Sequence, residues 1–509
     1  MERVLIGVDA GTTNIKTAAF TLGGEELTKT TRETPLETPR AGWVEQGMET
    51  TWERTAATIR ETVDALDDAE VVAIGVTGQG DGCWLIDDEG KPVREAILWS
   101  DGRAAEYVTD WKEDGTAERV RQITGSDLFP GAALPILQWL ADNEPETIAD
   151  AETAFFCKDW IKYRLTGERT MDYSGASLPF LDIDSLSYST EIPELADVPG
   201  LTDMLPRLVP GTDVIGTLTA DAAEETGLPA ETPVVSGLID VVASAIGCGA
   251  VAPGDSSSVV GTTSLNQSFL SEPPAELQGH GFTIALFEGL YSRVMASMAG
   301  TPNLDWALAE LTPDWEFERA ERAARSAPAT AGGLLYHPYL STSGERSPFN
   351  DPYARGQFVG LSPNHDREHL LRAVYEGVAL AMRDCYEHID ADADRIRMSG
   401  GGARSDLWCQ LFADCLDAEI AVPAGEEFGA RGVALLAGVG AGAIDDLEDT
   451  VRETTTYESV NEPRETSVPI YDEWYETYRE TYEGMRDLWQ TRTESIDRLQ
   501  AETRLSFDL

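Results

Sequence analysis

Two stretches, Val4-Leu5-Ile6-Gly7-Val8-Asp9-Ala10-Gly11-Thr12-Thr13 and Ser257-Ser258-Val259-Val260-Gly261-Thr262-Thr263, share one plan: a short strand that ends in Gly-Thr-Thr. Glycine lets a tight hairpin bring its backbone N–H groups against an anion, and the flanking hydroxyls add donors. Two such hairpins, about half a chain apart, predict a duplicated domain that closes on one nucleotide from two sides. Asp9, at the end of the first strand, stands where such a site would hold a metal ion. The pattern points to a kinase or an ATPase.

A chain of 509 residues exceeds what one core usually supports, so two domains are expected. The early Arg3 and Asp9 argue against a secretory leader and for a cytoplasmic protein. The most apolar stretch, Gly432 to Ile444, is too short and glycine-rich to span a bilayer, so no membrane association is expected. Six cysteines form no CxxC pair, which fits reduced thiols rather than a zinc site. His365 and His369 lack the glutamate of an HExxH motif and read as surface residues near a helix start.

Charge is extreme. Ninety acids against 38 bases give a formal net charge of −52, and lysine occurs only at positions 16, 29, 91, 112, 158 and 162. The acids are spread over the whole length, as at Asp67-Asp68, Asp87-Asp88-Glu89 and Glu224-Glu225. Such a surface self-repels at low salt, and together with the lysine shortage it suggests adaptation to a high-salt cytoplasm. A nucleic-acid partner is disfavoured, because phosphate binding needs basic surface.

Along the chain, strands are predicted at Val4–Val8, Ile15–Phe20 and Val71–Val76. A helix over Met48–Leu66 carries an apolar stripe at Trp52, Ala56, Ile59, Val63 and Leu66. Strand Val234-Val235-Ser236 runs into Gly237-Leu238-Ile239-Asp240. Beyond Cys248 come hairpin strands Ser256–Val260 and Ser264–Leu270, a strand–glycine–helix unit from Ile396 to Leu416, and a small-residue helix from Gly429. The expected units are residues 1–246, residues 247–445 and a helical tail, 446–509, with a hinge near residue 247. From Ile470 the tail places Trp474, Tyr478, Tyr482, Met485 and Trp489 at helical spacing, a packing face for the body or for a second copy, which leaves a homodimer open.

Four segments could carry chemistry. Asp9 ends a strand where a buried carboxylate needs a cation or donors, or else caps a structural hairpin. Asp240 follows an apolar strand and precedes a helix, the place where α/β proteins bind ligands, so it serves as a base, as a helix cap, or as both. Ser399-Gly400-Gly401-Gly402-Ala403-Arg404-Ser405 lets a flat ligand or phosphate approach, though such turns are common. Thr77-Gly78-Gln79-Gly80-Asp81-Gly82 offers bidentate hydroxyl contacts or forms a plain turn.

The order of these pieces resembles the FGGY carbohydrate kinase family, within the superfamily of actin, hexokinase and heat-shock chaperone ATPases. Gly42-Trp43-Val44-Glu45-Gln46, Trp99-Ser100-Asp101-Gly102-Arg103 and Gly344-Glu345-Arg346-Ser347-Pro348 match family segments. So do Gly356-Gln357-Phe358-Val359-Gly360-Leu361 and Ala373-Val374-Tyr375-Glu376, and the matches run in order from residue 4 to about 440. The resemblance implies two duplicated α/β domains of the actin/hexokinase, ribonuclease H-like type, with a nucleotide cleft between them. It implies ATP and Mg2+ as cofactors. Asp9 would be the metal-associated aspartate; Thr12, Thr13 and Asn14 the first phosphate loop; Gly261 and Thr262 the second. Thr301, Gly401, Gly402 and Ser405 would form the adenosine pocket. Asp240 falls on the catalytic base, and Gln79, Gly80, Asp81 and Asp101 fall where relatives contact a sugar or polyol.

Two substrates are expected. Glycerol kinases carry Arg-Glu where this chain has Gly80-Asp81, and D-xylulose kinases carry Met-His, whereas the segment resembles L-xylulose and erythritol kinases. A pentulose such as xylulose is the first expectation and a tetritol the second. A different class, a regulatory or scaffolding ATPase that binds nucleotide without phosphorylating sugar, is the competing reading.

Overall fold

The first strand is a continuous apolar run, and a run of that kind needs cover on both faces. In the computed structural model, which describes residues 2–389 and 391–503, it has both. The first sheet comprises β1 (Glu2–Ala10), β2 (Asn14–Thr21), β3 (Glu26–Glu33), β4 (Ala69–Gly78), β5 (Val214–Thr217) and β6 (Pro233–Val235), in the order β5-β6-β4-β1-β2-β3. The second comprises β7 (Ser256–Val260), β8 (Ser264–Leu270), β9 (Phe282–Phe287), β10 (Leu290–Ser297), β11 (Arg395–Ser399), β12 (Glu419–Pro423) and β13 (Tyr457–Asn461), in the order β9-β10-β8-β7-β11-β12-β13. The helices that matter here are α1 (Met48–Asp64), α2 (Cys157–Thr166), α3 (Asp240–Gly247), α4 (Arg367–Glu387), α5 (Asp406–Leu416), α6 (Phe428–Gly440) and α7 (Val468–Thr503).

The sheets repeat one plan. β1 pairs antiparallel with β2 and parallel with β4, just as β7 pairs antiparallel with β8 and parallel with β11. The parallel run continues to β6 and to β12, each closed by an antiparallel edge strand. The duplicated α/β architecture expected from the paired Gly-Thr-Thr hairpins is therefore present. Both hairpins and both parallel partners deliver their loops at the carboxyl ends of the sheets, where open α/β sheets bind ligands.

Alternate residues of β1 face opposite covers. Ile6 and Val8 join Trp52, Ala56 and Ile59 of α1 in one core cluster, while Leu5 joins Val433 and Leu436 of α6 in another. On the α6 face the contact is backbone to backbone. A Cβ added at Gly7 would lie 1.9 Å from Ala430 O, and one at Gly75 would lie 2.1 Å from Val433 O. α6 also crosses α3 at the same closeness: Cβ atoms at Gly247 and Gly432 would fall 1.9 Å from Phe428 O and 2.0 Å from Ala243 O. The small-residue helix thus lies on the first sheet and on α3 although most of the chain around it builds the second sheet. Arg431 fastens the crossing, donating to Gly24 O at 3.1 Å, to Gly247 O at 2.5 Å and to Thr454 Oγ1 at 3.0 Å.

The tail forms α7, docked on its own chain. The buried face is Tyr471, Tyr475, Tyr478, Tyr482 and Trp489, with Trp474 and Met485 only partly buried at its margin. The difference from the expected stripe has a polar cause. Tyr471 donates to Glu376 at 2.7 Å, Tyr475 and Tyr482 donate to the two oxygens of Asp384 at 2.8 and 2.9 Å, and Tyr478 pairs with Tyr339 at 2.7 Å. Phenol tips that find acceptors inside can be buried where an indole flank is left outside. Among the described residues no helix is long and apolar enough to cross a membrane. The six cysteines are all free and buried.

Candidate active site

The candidate residues gather in two clusters. The first gathers at the ends of β1 and β4. Thr12 Oγ1 donates to Gln79 Oε1 at 3.3 Å and accepts the Trp99 indole N–H at 2.9 Å. Gln79 Nε2 donates to Gln46 Oε1 at 3.0 Å, and Gln46 Nε2 donates back to Thr12 O at 3.0 Å. This closed ring ties the first hairpin to two other segments and the Trp99 contact adds a third, so the Thr12 hydroxyl serves the ring. Thr13 is exposed, and its Oγ1 accepts from Asn14 Nδ2 at 3.1 Å.

Asp81 is buried beside this ring in a left-handed conformation, φ 57°. Burial pushes its carboxyl well above the usual range, the Ala133 backbone N–H opposes that rise, and the nearby Asp240 charge adds to it. Gly80 leaves the space between Leu178 and Ile239, whose side chains a Cβ would approach to 3.3 and 3.7 Å. Asp101 is placed differently from a free hydroxyl acceptor. Both of its oxygens are engaged, by Arg103 Nε and Nη2 at 2.9 Å each and by the Val44 N–H at 2.6 Å. Arg103 in turn stacks on Trp43 at 4.0 Å, so Asp101 fixes the Gly42–Gln46 segment that supplies Gln46.

Asp240 opens α3, its Oδ1 accepting the Val241 N–H at 2.8 Å. Burial pushes its pKa up to about 7, with the Asp9 charge as the next cause and the Val241 N–H opposing. Asp9 itself is raised to about 6, first by burial, against the pull of Lys16. Asp9 lies at the amino end of α6, where a Cβ on Gly429 would sit 2.5 Å from its Oδ2. Lys16 pairs with Glu427 at 2.9 Å at the same helix end. One strand of the second sheet reaches this cluster directly: Gln267 Nε2 donates to Val241 O at 3.0 Å.

The second cluster is built from turns that are tightly packed at Gly300, Gly400 and Gly402. Thr301 N–H donates to Gly261 O at 2.7 Å, and a Cβ on Gly300 would lie 2.4 Å from that same oxygen. Gly400, φ 88°, and Gly402 press on Val260, and a Cβ on Gly401 would lie 3.5 Å from Thr301 Cγ2. Gly261, Thr262, Thr301, Gly401 and Gly402 are thereby brought together. At Gly261 itself the protein demands nothing, since a Cβ would meet no atom closer than 3.9 Å. Ser405 is buried as the cap of α5, accepting the Trp408 N–H at 3.1 Å and donating to Glu321 at 2.6 Å.

The chain's similarity to known proteins fits this double arrangement. Residues 4–247 match the N-terminal domain, and residues 256–441 the C-terminal domain, of the FGGY family of carbohydrate kinases. The chain belongs to that family. It is 33% identical to the erythritol kinase of Brucella abortus, over 96% of this chain and 97% of that protein. It is 32% identical to the xylulose kinase of Escherichia coli, over 95% of this chain and 99% of that one. The crystal structure of xylulose kinase from Rhodospirillum rubrum superposes with a TM-score of 0.88 at 28% identity, covering 96% of this chain and all (100%) of that one.

For this FGGY kinase, sequence reasoning did not nominate Gln46, Trp99, Lys16 or Glu427 as site residues. Gln46 and Trp99 lie inside the quoted family segments, and Lys16 stands three residues after the first Gly-Thr-Thr. What the sequence could not supply was the hydrogen-bonded ring and the approach of α6 to Asp9, both of which join residues distant in the chain.

Proposed function

We propose that this carbohydrate kinase transfers the γ-phosphoryl group of ATP to a terminal hydroxyl of a small sugar, a pentulose such as xylulose, with Asp240 as the general base. The observation that carries the reading is the place of Asp240: at the head of α3, within electrostatic reach of both Asp81 and Asp9 and held near neutral affinity for a proton. A base with a pKa close to working pH combines availability with driving force.

The acceptor lies against the first cluster. Gln79 and Asp81 take vicinal hydroxyls, Gly80 leaves room beside Leu178 and Ile239, and Asp240 receives the proton of the attacking hydroxyl. The phosphates lie between the two hairpins, where Gly261 allows backbone approach and Thr262 and Thr13 add hydroxyl donors. Adenosine rests on the Gly401–Gly402 turn beside Thr301. Among the described residues no cluster of three or more acidic, His or Cys side chains forms a cation cage. That fits Mg2+, which is usually held by one or two carboxylates together with substrate phosphates; Asp9 would hold it here. Mg2+ bound to the triphosphate supplies charge neutralisation as the phosphoryl group moves.

A tetritol is the second reading, supported by Gly80-Asp81 and by the similarity to an erythritol kinase. A coupled ADP-release assay in molar KCl tests both, with D- and L-xylulose, ribulose, erythritol, glycerol and gluconate as acceptors. Strongest turnover with a pentulose is expected. Strongest turnover with erythritol replaces the first reading by the second, and ADP release indifferent to every acceptor overturns both.

A further inference from the structure

Only six lysines serve the whole chain, yet the side chains of Lys158 and Lys162 are wholly buried. Burying an ammonium group is costly unless opposite charge and hydrogen bonds meet it. Both lysines stand on α2, as does Asp159. Lys158 Nζ lies 2.7 Å from Asp159 Oδ1 and also pairs with Asp172, while Lys162 Nζ lies 2.9 Å from the same Asp159 oxygen. The result is a line of two acids alternating with two bases, Asp172–Lys158–Asp159–Lys162, with no exposed side chain. Burial works against the Lys158 charge, but Asp159 and Asp172 outweigh it and hold its pKa above the ordinary value.

Each end of the line stops on a hydroxyl. Asp172 accepts the Ser174 hydroxyl, and Ser174 Oγ accepts the backbone N–H of Ile239 at 2.9 Å. At the other end, Lys162 donates to Ser236 Oγ at 3.2 Å. Ser236 and Ile239 bracket the turn that delivers Asp240. Between them, Leu238 O accepts from Thr77 Oγ1 at 2.6 Å, and Gly237, φ 71°, lies so close to Val76 O that a Cβ would sit 2.0 Å away.

We propose that this buried line is a positioning clamp for the base: through Ser174 and Ser236 it fixes both ends of the 236–239 turn, so that the Asp240 carboxylate keeps one aim toward the acceptor hydroxyl. Apolar packing would join α2 to the sheet at less cost than buried charge. What the charges add is direction, because both termini end on the turn of the base. The proposal rests on the assignment of Asp240 as that base.

Ser174→Ala removes the acceptor of the Ile239 N–H and leaves all four members of the line in place. A displacement of about 1 Å at a reacting group costs up to roughly 10²-fold, so kcat is expected to fall about tenfold or more. The KM values for ATP and acceptor are expected to stay within about twofold and Tm within a few degrees. Ser236→Ala, at the other end, is expected to show the same split and decides the matter by the same criterion if Ser174→Ala does not fold. Wild-type kcat in the folded variants, or kcat, KM and Tm falling together, overturns the clamp. Asp240→Asn with wild-type turnover overturns instead the assignment on which the clamp rests.

Discussion

Asp240 and Asp9 are two carboxylates that burial keeps from ionising easily, and the Asp9 charge adds to the rise at Asp240. For catalysis the sign is simple: a base works only when deprotonated. With Asp240 pushed up to about 7, kcat/KM is expected to rise about tenfold per pH unit below that value and level off above it. A flat profile from pH 5.5 to 8.5 would contradict the role of Asp240. For stability the sign is opposite to the usual carboxylate. The folded chain holds a proton on Asp240 between its ordinary 3.8 and about 7, where the unfolded chain has released it. Stability from this group is therefore full below 3.8 and lost as pH rises through about 7. Asp240→Asn is thus expected to raise Tm by a few degrees at pH 8 without nucleotide, and the gain should shrink as pH falls below about 7 and vanish only below 3.8; calorimetry of the two proteins checks it. The sequence made Asp240 legible by its place after a strand and before a helix. It did not show Thr12 held by Gln79 and Trp99, because those partners are remote in the chain and only the fold brings them in; Arg103, which occupies Asp101, stands two residues away in the same quoted segment.

At the scale of elements, α6 decides how the two sheets are joined. It meets β1 and β4 at Gly7 and Gly75 of the strands, and it meets α3 at Gly247 of α3 and at its own Gly432, so backbone lies against backbone at each contact. Gly432→Ala places a methyl 2.0 Å from Ala243 O, against backbone that cannot rotate away. A loss of about 1–3 kcal/mol is expected, as for other overpacked sites, together with lower kcat, because the same crossing carries Asp240 and the Asp9 contact. Denaturant midpoints and turnover measured on one preparation check this, and an unchanged midpoint would contradict it. The two hairpins, their parallel partners and the helix from Gly429 were legible, since hydrophobic runs that stop at glycine mark strand ends well. The inner face of α7 was legible only in part. Tyr471 and Tyr475 go inside because Glu376 and Asp384 await their hydroxyls, and hydropathy periodicity carries no record of acceptors on another helix.

Across the whole molecule, the fold must carry a net charge of −52. The Debye length shrinks from about 10 Å at 0.1 M salt to about 3 Å at 1 M. Raising KCl over that range is expected to increase Tm by several degrees and to raise turnover; a Tm that falls or stays constant would contradict the electrostatic account. Charge alone does not say where the phosphoryl group goes. Phosphorus NMR of wild-type protein and Asp240→Asn, each incubated with Mg-ATP and a pentulose or tetritol, reads that out directly. The wild type is expected to form a sugar monophosphate in step with ADP, and Asp240→Asn almost none although it still folds and binds ATP. Inorganic phosphate as the only product beside ADP, or equal sugar phosphate from both proteins, would contradict this expectation.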